Sequence, residues 1–176
     1  MMNKPEILDE LRMEIGLSFD YAESLDDFFS RIVYNFDSLP EDFCCAIYEN
    51  HWNEFVKNCS GKAWHMPASV PFGHKPLSLC AIRGSITVYY EIDKHYLLSP
   101  FYKGCQLLGI FIVGVPHGKY RIEEEDLLFM EEVSRFYHPG YLVFKDETLP
   151  ERYKNRAGLL CFILFMKKIN KRWYIK

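Results

Sequence analysis

Residues 24–40, SLDDFFSRIVYNFDSLP, carry Leu25, Phe28, Phe29, Ile32, Val33 and Phe36 at three- and four-residue spacing, the period of a helix with one apolar face. Ser24 is placed to cap its first turn, with Asp27 at the capping-box position, and Pro40 ends it. Upstream, Ile7, Leu8, Leu11 and Ile15 mark a shorter amphipathic helix with an acidic outer face and a break expected near Gly16. After Pro40 the period changes. FCCAIYEN (43–50) and EFVKNCSG (54–61) read as a hairpin, and ASVPFG (68–73) as a short extended piece. In PLSLCAIRGSITVYYEI (76–92), Ser78 is placed to cap one or two helical turns through Arg83, Gly84 to stop them, and ITVYYEI to resume as strand.

YLLSPFYKGCQLLGIFIVGV (96–115) reads as two antiparallel strands joined at Tyr102-Lys103-Gly104. The second is long and apolar, so it belongs at the centre of a sheet. RIEEEDLLFMEEVSRFYHP (121–139) closes the body as a helix with its acids in the first turns, where the helix dipole favours them, and Pro139 as its stop. This order predicts an α+β fold: a central antiparallel sheet with terminal helices on one face and a short helix and loops covering the other. The expected divisions are a helical extension over 1–23, a single folded domain over 24–138 and a C-terminal extension over 139–176.

At 176 residues the chain is long enough to bury a proper core, and its 14 Phe and 12 Tyr supply large apolar bodies for it. The net charge of −3 hides an asymmetry: residues 1–151 carry −11 and residues 152–176 carry +8. That tail contains a ten-residue apolar run, 157–166, bounded by basic groups, too short for the ~20 residues that span a bilayer. Docking on the body or on a second copy, an interfacial membrane anchor and a nucleic-acid contact all compete for it. Opposite charge favours docking, the run has no polar face for an interface, and no nucleic-acid motif is present. The N-terminus lacks the basic flank and apolar run of a signal peptide, so a cytoplasmic protein with reduced thiols is expected.

Three segments carry a family likeness: VPFGHKPLSLCAIRGSITVYYE, LLSPFYKGCQLLGIFIV and IEEEDLLFMEEVSRF. Their glycine-punctuated strand, short helix and strand, their hairpin and their terminal helix resemble the GAF domain family over about residues 24–138. These are the small-molecule-sensing domains of cyclic-nucleotide phosphodiesterases, phytochromes and many bacterial regulators. The resemblance implies a ligand pocket between the sheet and a cover formed by residues 64–83 and the following strand, with Phe72, Leu79, Cys80, Ala81, Tyr89, Glu91 and Ser99 around it. Trp64, Phe72 and Tyr89 could supply apolar walls with polar tips, and the amides after Ser78 could donate to an anion or a carbonyl. A small anionic or amino-acid-like ligand is expected, with a homodimer or a signalling protein to receive the signal.

Each of these residues has a plainer reading. Residues 79–82 fit any buried helical turn, Tyr89 and Tyr90 face opposite ways on a strand, and Glu91 fits a solvated carboxylate. One enzymatic branch of the resembled family reduces free methionine sulfoxide with cysteines around the same pocket, and Cys80 sits where one of them would. DKHYLLSP offers no partner thiol before Pro100, Cys105 lies after it, and Cys59 is set too far back. Without a resolving thiol such chemistry stalls. A non-enzymatic binding domain is therefore the leading reading, with a Cys80 oxidoreductase and an interaction module with a vestigial pocket as alternatives. No metal or cofactor is expected: Cys59, His65, His74 and Cys80 lack a zinc spacing, and the nucleotide-binding and hydrolase motifs are missing.

Overall fold

The computed structural model describes residues 4–39, 42–103 and 105–136. The expected stops at Pro40 and Pro139, the turn residue Gly104 and the 139–176 extension lie outside the described residues. The element order is α1 (Lys4–Tyr21), α2 (Leu25–Asp37), β1 (Cys44–His51), β2 (Glu54–Ser60), β3 (Ser69–Pro71), α3 (Leu77–Arg83), β4 (Thr87–Tyr90), β5 (Lys94–Lys103), β6 (Gln106–Pro116) and α4 (Glu124–Phe136). The six strands form one antiparallel sheet in the order β3-β2-β1-β6-β5-β4. β6 is central, and residues 109–116 are buried without interruption.

Because the strand period is two, β1, β5 and β6 each feed two separate cores. Cys45, Ile47, Leu97, Phe101, Phe111, Val113 and Val115 point to a layer made by α1, α2 and α4. Cys44, Ala46, Tyr48, Phe55, Tyr96, Leu98, Ile110 and Ile112 point the other way, under α3 and the loop that precedes β3. Two glycines of β6 let neighbouring groups close in. A Cβ at Gly109 would collide with the Tyr48 carbonyl oxygen, and one at Gly114 would lie 2.5 Å from Cys44 Sγ.

The helix signals resolve differently. Ser24 caps α2 by accepting the Asp27 N–H at 3.1 Å, while the Asp27 carboxylate accepts from Glu23 N–H, one residue before the cap. In α1 the expected break at Gly16 does not occur. The helix runs through it to Tyr21, with Gly16 buried between Ile15 and Ser18 on its inward side, and packing outweighs the ~1 kcal/mol that glycine costs a helix.

α1 and α4 run side by side in the same direction. The Lys4 ammonium bonds the Arg121 carbonyl (2.7 Å), Glu123 (3.1 Å) and Asp126 (2.8 Å), Arg12 bonds Glu132 at 2.9 Å, and Phe19 meets Phe136 at 5.6 Å. Asp126, almost fully buried, also accepts from Tyr120 Oη (2.6 Å) and from Glu123 N–H (2.7 Å). Burial alone lowers the Lys4 ammonium; the bonds and charges of Asp126 and Glu123 outweigh it and leave it above the usual lysine value. No described helix is long and apolar enough to cross a membrane.

Candidate functional site

The sheet face away from the three long helices carries a small second layer. Its anchor is an aromatic chain of bonds. Trp64 Nε1–H donates to Tyr48 Oη at 3.1 Å, and Tyr48 Oη–H donates to the Pro67 carbonyl at 2.6 Å. Tyr96 packs edge-on against Trp64 with ring centroids 6.0 Å apart. Burial pushes the Tyr48 phenol up, partly offset by the Trp64 bond. Burial, then the charges of Glu91, Cys44 and Asp93, push Tyr96 up to about 12. Both phenols are neutral at ordinary pH, so this wall offers shape and hydrogen bonding but no charge.

α3 forms the second half of the layer. Its N-cap is Pro76, with no side-chain bond, so Ser78 is not the cap that its position in the sequence predicts. Ser78 is the second helical residue, and its buried hydroxyl turns back to accept Gly73 N–H at 2.9 Å. Of the amides expected to serve a ligand, that of Cys80 is engaged, its N–H bonding the Pro76 carbonyl, and Ser78 N–H just before them bonds that of His74. Gly84 ends the helix in the left-handed region at φ 61°, as its placement predicts.

Cys80 is completely buried, with Sγ 3.7 Å from the Ser85 carbonyl. Burial pushes its thiol up to about 12, against weaker opposing effects from Thr87 and Arg83. A thiol held neutral is a poor nucleophile. Cys44, on the same face, lies 3.5 Å from Lys94 Nζ, yet burial still keeps its thiol above the ordinary value.

The expected site residues divide by face. Trp64, Cys80, Ala81 and Tyr89 pack in the covering cluster, and Leu79 is half-buried beside them on α3. Phe72 lies at the rim, 42% exposed and stacked on Phe55 with centroids 4.6 Å apart. Glu91 lies past the end of β4 in an exposed turn, its N–H bonded to the Lys94 carbonyl. Ser99 belongs to the other side of the sheet. It shares the register of Leu97 and Phe101 and hydrogen-bonds Ser134 of α4, so it cannot line a site under α3.

Several residues that the sequence reading passed over are central here. Tyr48 and Tyr96 hold the wall, Leu77 is as fully buried on α3 as Cys80, and Asn50 carries an unmet polar atom. Asn50 Nδ2 donates to the Leu107 carbonyl at 3.0 Å, while its Oδ1 is buried without a partner among the described residues. The period-two spacing Cys44, Ala46, Tyr48, Asn50 was the available signal. On the helical side a mostly apolar cavity of about 30 Å³ lies between Leu8, Leu11, Phe36, Leu97, Val113 and Phe129, with Tyr120 and Asp126 also lining it.

No family model and no curated protein sequence matches this chain. Solved structures do match. A putative GAF sensor protein from Burkholderia vietnamiensis superposes with a TM-score of 0.68 at 14% identity, over 84% of this chain and 96% of that one. The free methionine-R-sulfoxide reductase from Neisseria meningitidis, in complex with its substrate, gives 0.65 at 12%, over 92% and 95%. The GAF domain of an Acinetobacter phosphoenolpyruvate-protein phosphotransferase gives 0.57 at 19%, over 81% and 98%. Those neighbours include both a sensor and an enzyme, so what they share with this chain is architecture. With its six-stranded antiparallel sheet, its helical layer and its small covering layer opposite, this chain has a GAF-like fold.

Proposed function

We propose that this chain is a non-enzymatic sensory domain that holds a small molecule under the covering layer and relays occupancy through its helices to a second copy or a signalling partner. The observation that carries the reading is the buried Oδ1 of Asn50, an acceptor with no protein donor among the described residues, on the sheet face that Trp64, Cys80, Ala81 and Tyr89 cover. A buried polar atom left unpaired costs about 1–3 kcal/mol. A ligand N–H removes that cost, which favours an amino-acid-like or amide-bearing ligand over a simple anion. Phe72 supplies an aromatic rim. For a signal to exist, the ligand has to bind one arrangement of the cover more tightly than another.

The same fold hosts a reductase, and both Cys44 and Cys80 face the cover. Burial keeps both thiols above the ordinary value, against the opposing effects of Lys94 on Cys44 and of Thr87 and Arg83 on Cys80, which weighs against a thiol oxidoreductase. A melting-shift screen of amino acids, small anions and nucleotides separates the readings. An amino-acid-like compound should raise Tm, by an amount corresponding to about 2.7 kcal/mol at a hundredfold excess over Kd. Asn50→Ala should abolish that shift and Cys80→Ser should keep it. If instead methionine sulfoxide is consumed and Cys80→Ser stops the turnover, the chain is a reductase. No shift at millimolar concentrations with any compound would leave an interaction module with a vestigial pocket.

A further inference from the structure

Helix α1 presents a second apolar row, on the side away from the core. Met13, Leu17 and Tyr21 recur every four residues and are 56%, 41% and 69% exposed. They form one line about 12 Å long at 1.5 Å per residue. Glu10, Glu14 and Asp20 flank that line, all exposed, and none has an ion-pair partner among the described residues. Three large apolar side chains interleaved with unpaired carboxylates suit a partner that is both apolar and basic.

The chain itself contains such a segment. Residues 157–176 carry no acidic group, the apolar run 157–166, and then Lys167, Lys168, Lys171, Arg172 and Lys176 interspersed with Ile169, Trp173, Tyr174 and Ile175. The connection also fits. α4 ends at Phe136, whose ring meets Phe19 in the last turns of α1, so the chain leaves α4 beside the end of the helix that carries the exposed row. The 20 residues from 137 to 156 reach up to about 70 Å when extended, far more than the roughly 27 Å length of α1. We propose that the Met13–Leu17–Tyr21 face of α1 is the docking site for residues 157–176 of the same chain. Apolar contact supplies the attraction, and Glu10, Glu14 and Asp20 supply the match to the basic residues. The tail then bears on the helix that is ion-paired to α4.

Zero-length carbodiimide coupling of the full-length protein tests this. Amide links should form between Glu10 or Glu14 and Lys167, Lys168 or Lys171, and should remain within one chain when isotope-labelled and unlabelled protein are mixed. In the double variant Met13→Gln/Leu17→Gln those links should be lost and tryptic cleavage at Lys167 and Lys168 should accelerate at least tenfold. Both residues are exposed, so the thermal midpoint of the body is the folding control. If the variant melts early, Glu10→Lys/Glu14→Lys takes its place, with the same acceleration expected. Links that join labelled to unlabelled chains would make this face a contact between copies and overturn the proposal. So would tryptic cleavage that is equally fast in the parent and slows only on adding phosphatidylserine-containing vesicles, which would make the tail a membrane contact.

Discussion

The two faces of the sheet are built from the same strands and solve different problems. On the helical face, Phe28, Phe29, Phe36, Phe111, Phe129 and Phe136 interlock in tilted and edge-on contacts 5.6–6.5 Å apart, with a few buried polar pairs, Ser99–Ser134, Lys4–Asp126 and Arg12–Glu132, set among the helices. On the covering face the large buried residues are Tyr48, Phe55, Trp64 and Tyr96, and the layer is tied down by hydrogen bonds through Tyr48. The first is held mainly by apolar area, which has no direction. The second is held by a few directional bonds, which can be traded for a ligand's. On the proposed sensory reading, a sheet that is stable on one side and responsive on the other gains from this division.

Substitutions can break the comparison, beginning with the most damaging. Phe111→Ala, beneath α2 and fully buried, should cost about 3–5 kcal/mol in global unfolding by denaturant. Tyr48→Phe keeps the ring and removes the hydroxyl, leaving Trp64 Nε1–H and the Pro67 carbonyl unpaired. It should cost about 1–3 kcal/mol, and amide exchange should quicken in residues 61–71 more than in α2. If exchange quickens equally in both layers, the faces are one cooperative unit and the contrast fails.

Alkali should act through the buried thiols. Burial pushes Cys80 and Cys59 up to about 12, so an unfolded chain, with thiols near 9, ionises first. The folded state binds more protons between those values, and stability should fall as pH rises from about 9 to 12. At neutral pH a thiol reagent should modify exposed Cys105 while Cys80 stays unmodified. The smallest effect is expected from Ser99→Ala, about 1 kcal/mol or less, with ligand-induced melting shifts unchanged because its hydroxyl faces α4.

What could be read from the sequence follows the same physics. Local signals spoke clearly: Ser24 with Asp27 started α2, Gly84 stopped α3, and turn residues separated the strands. Facing was harder, because β1 and β5 are buried on both sides. Alternation in LLSPF cannot say which side Ser99 takes, and only its register against Phe111, together with α4, decides it. Ser78 misled for a related reason. Its hydroxyl does cap something, but the loop at Gly73 rather than the helix, and nothing in the spacing distinguishes the two. Gly16 looked like a break because propensity is local, whereas the packing that overrides it comes from α2 and α4. The spacing Cys44, Ala46, Tyr48, Asn50 gives the face that Asn50 takes, but its unmet acceptor becomes visible only when its surroundings are assembled.

The strand order carries a consequence for how the chain finds its structure. β1–β2 and β5–β6 are hairpins that can form from neighbouring residues, but the join between them, such as Ile47 against Phe111, links residues far apart in sequence. That join creates both faces at once, so neither core can consolidate before it is made. Folding should therefore be limited by a late meeting of two preformed hairpins, slower than helical proteins of similar size. Weakening the β1–β6 seam should slow folding, whereas loosening the cover should mainly speed unfolding.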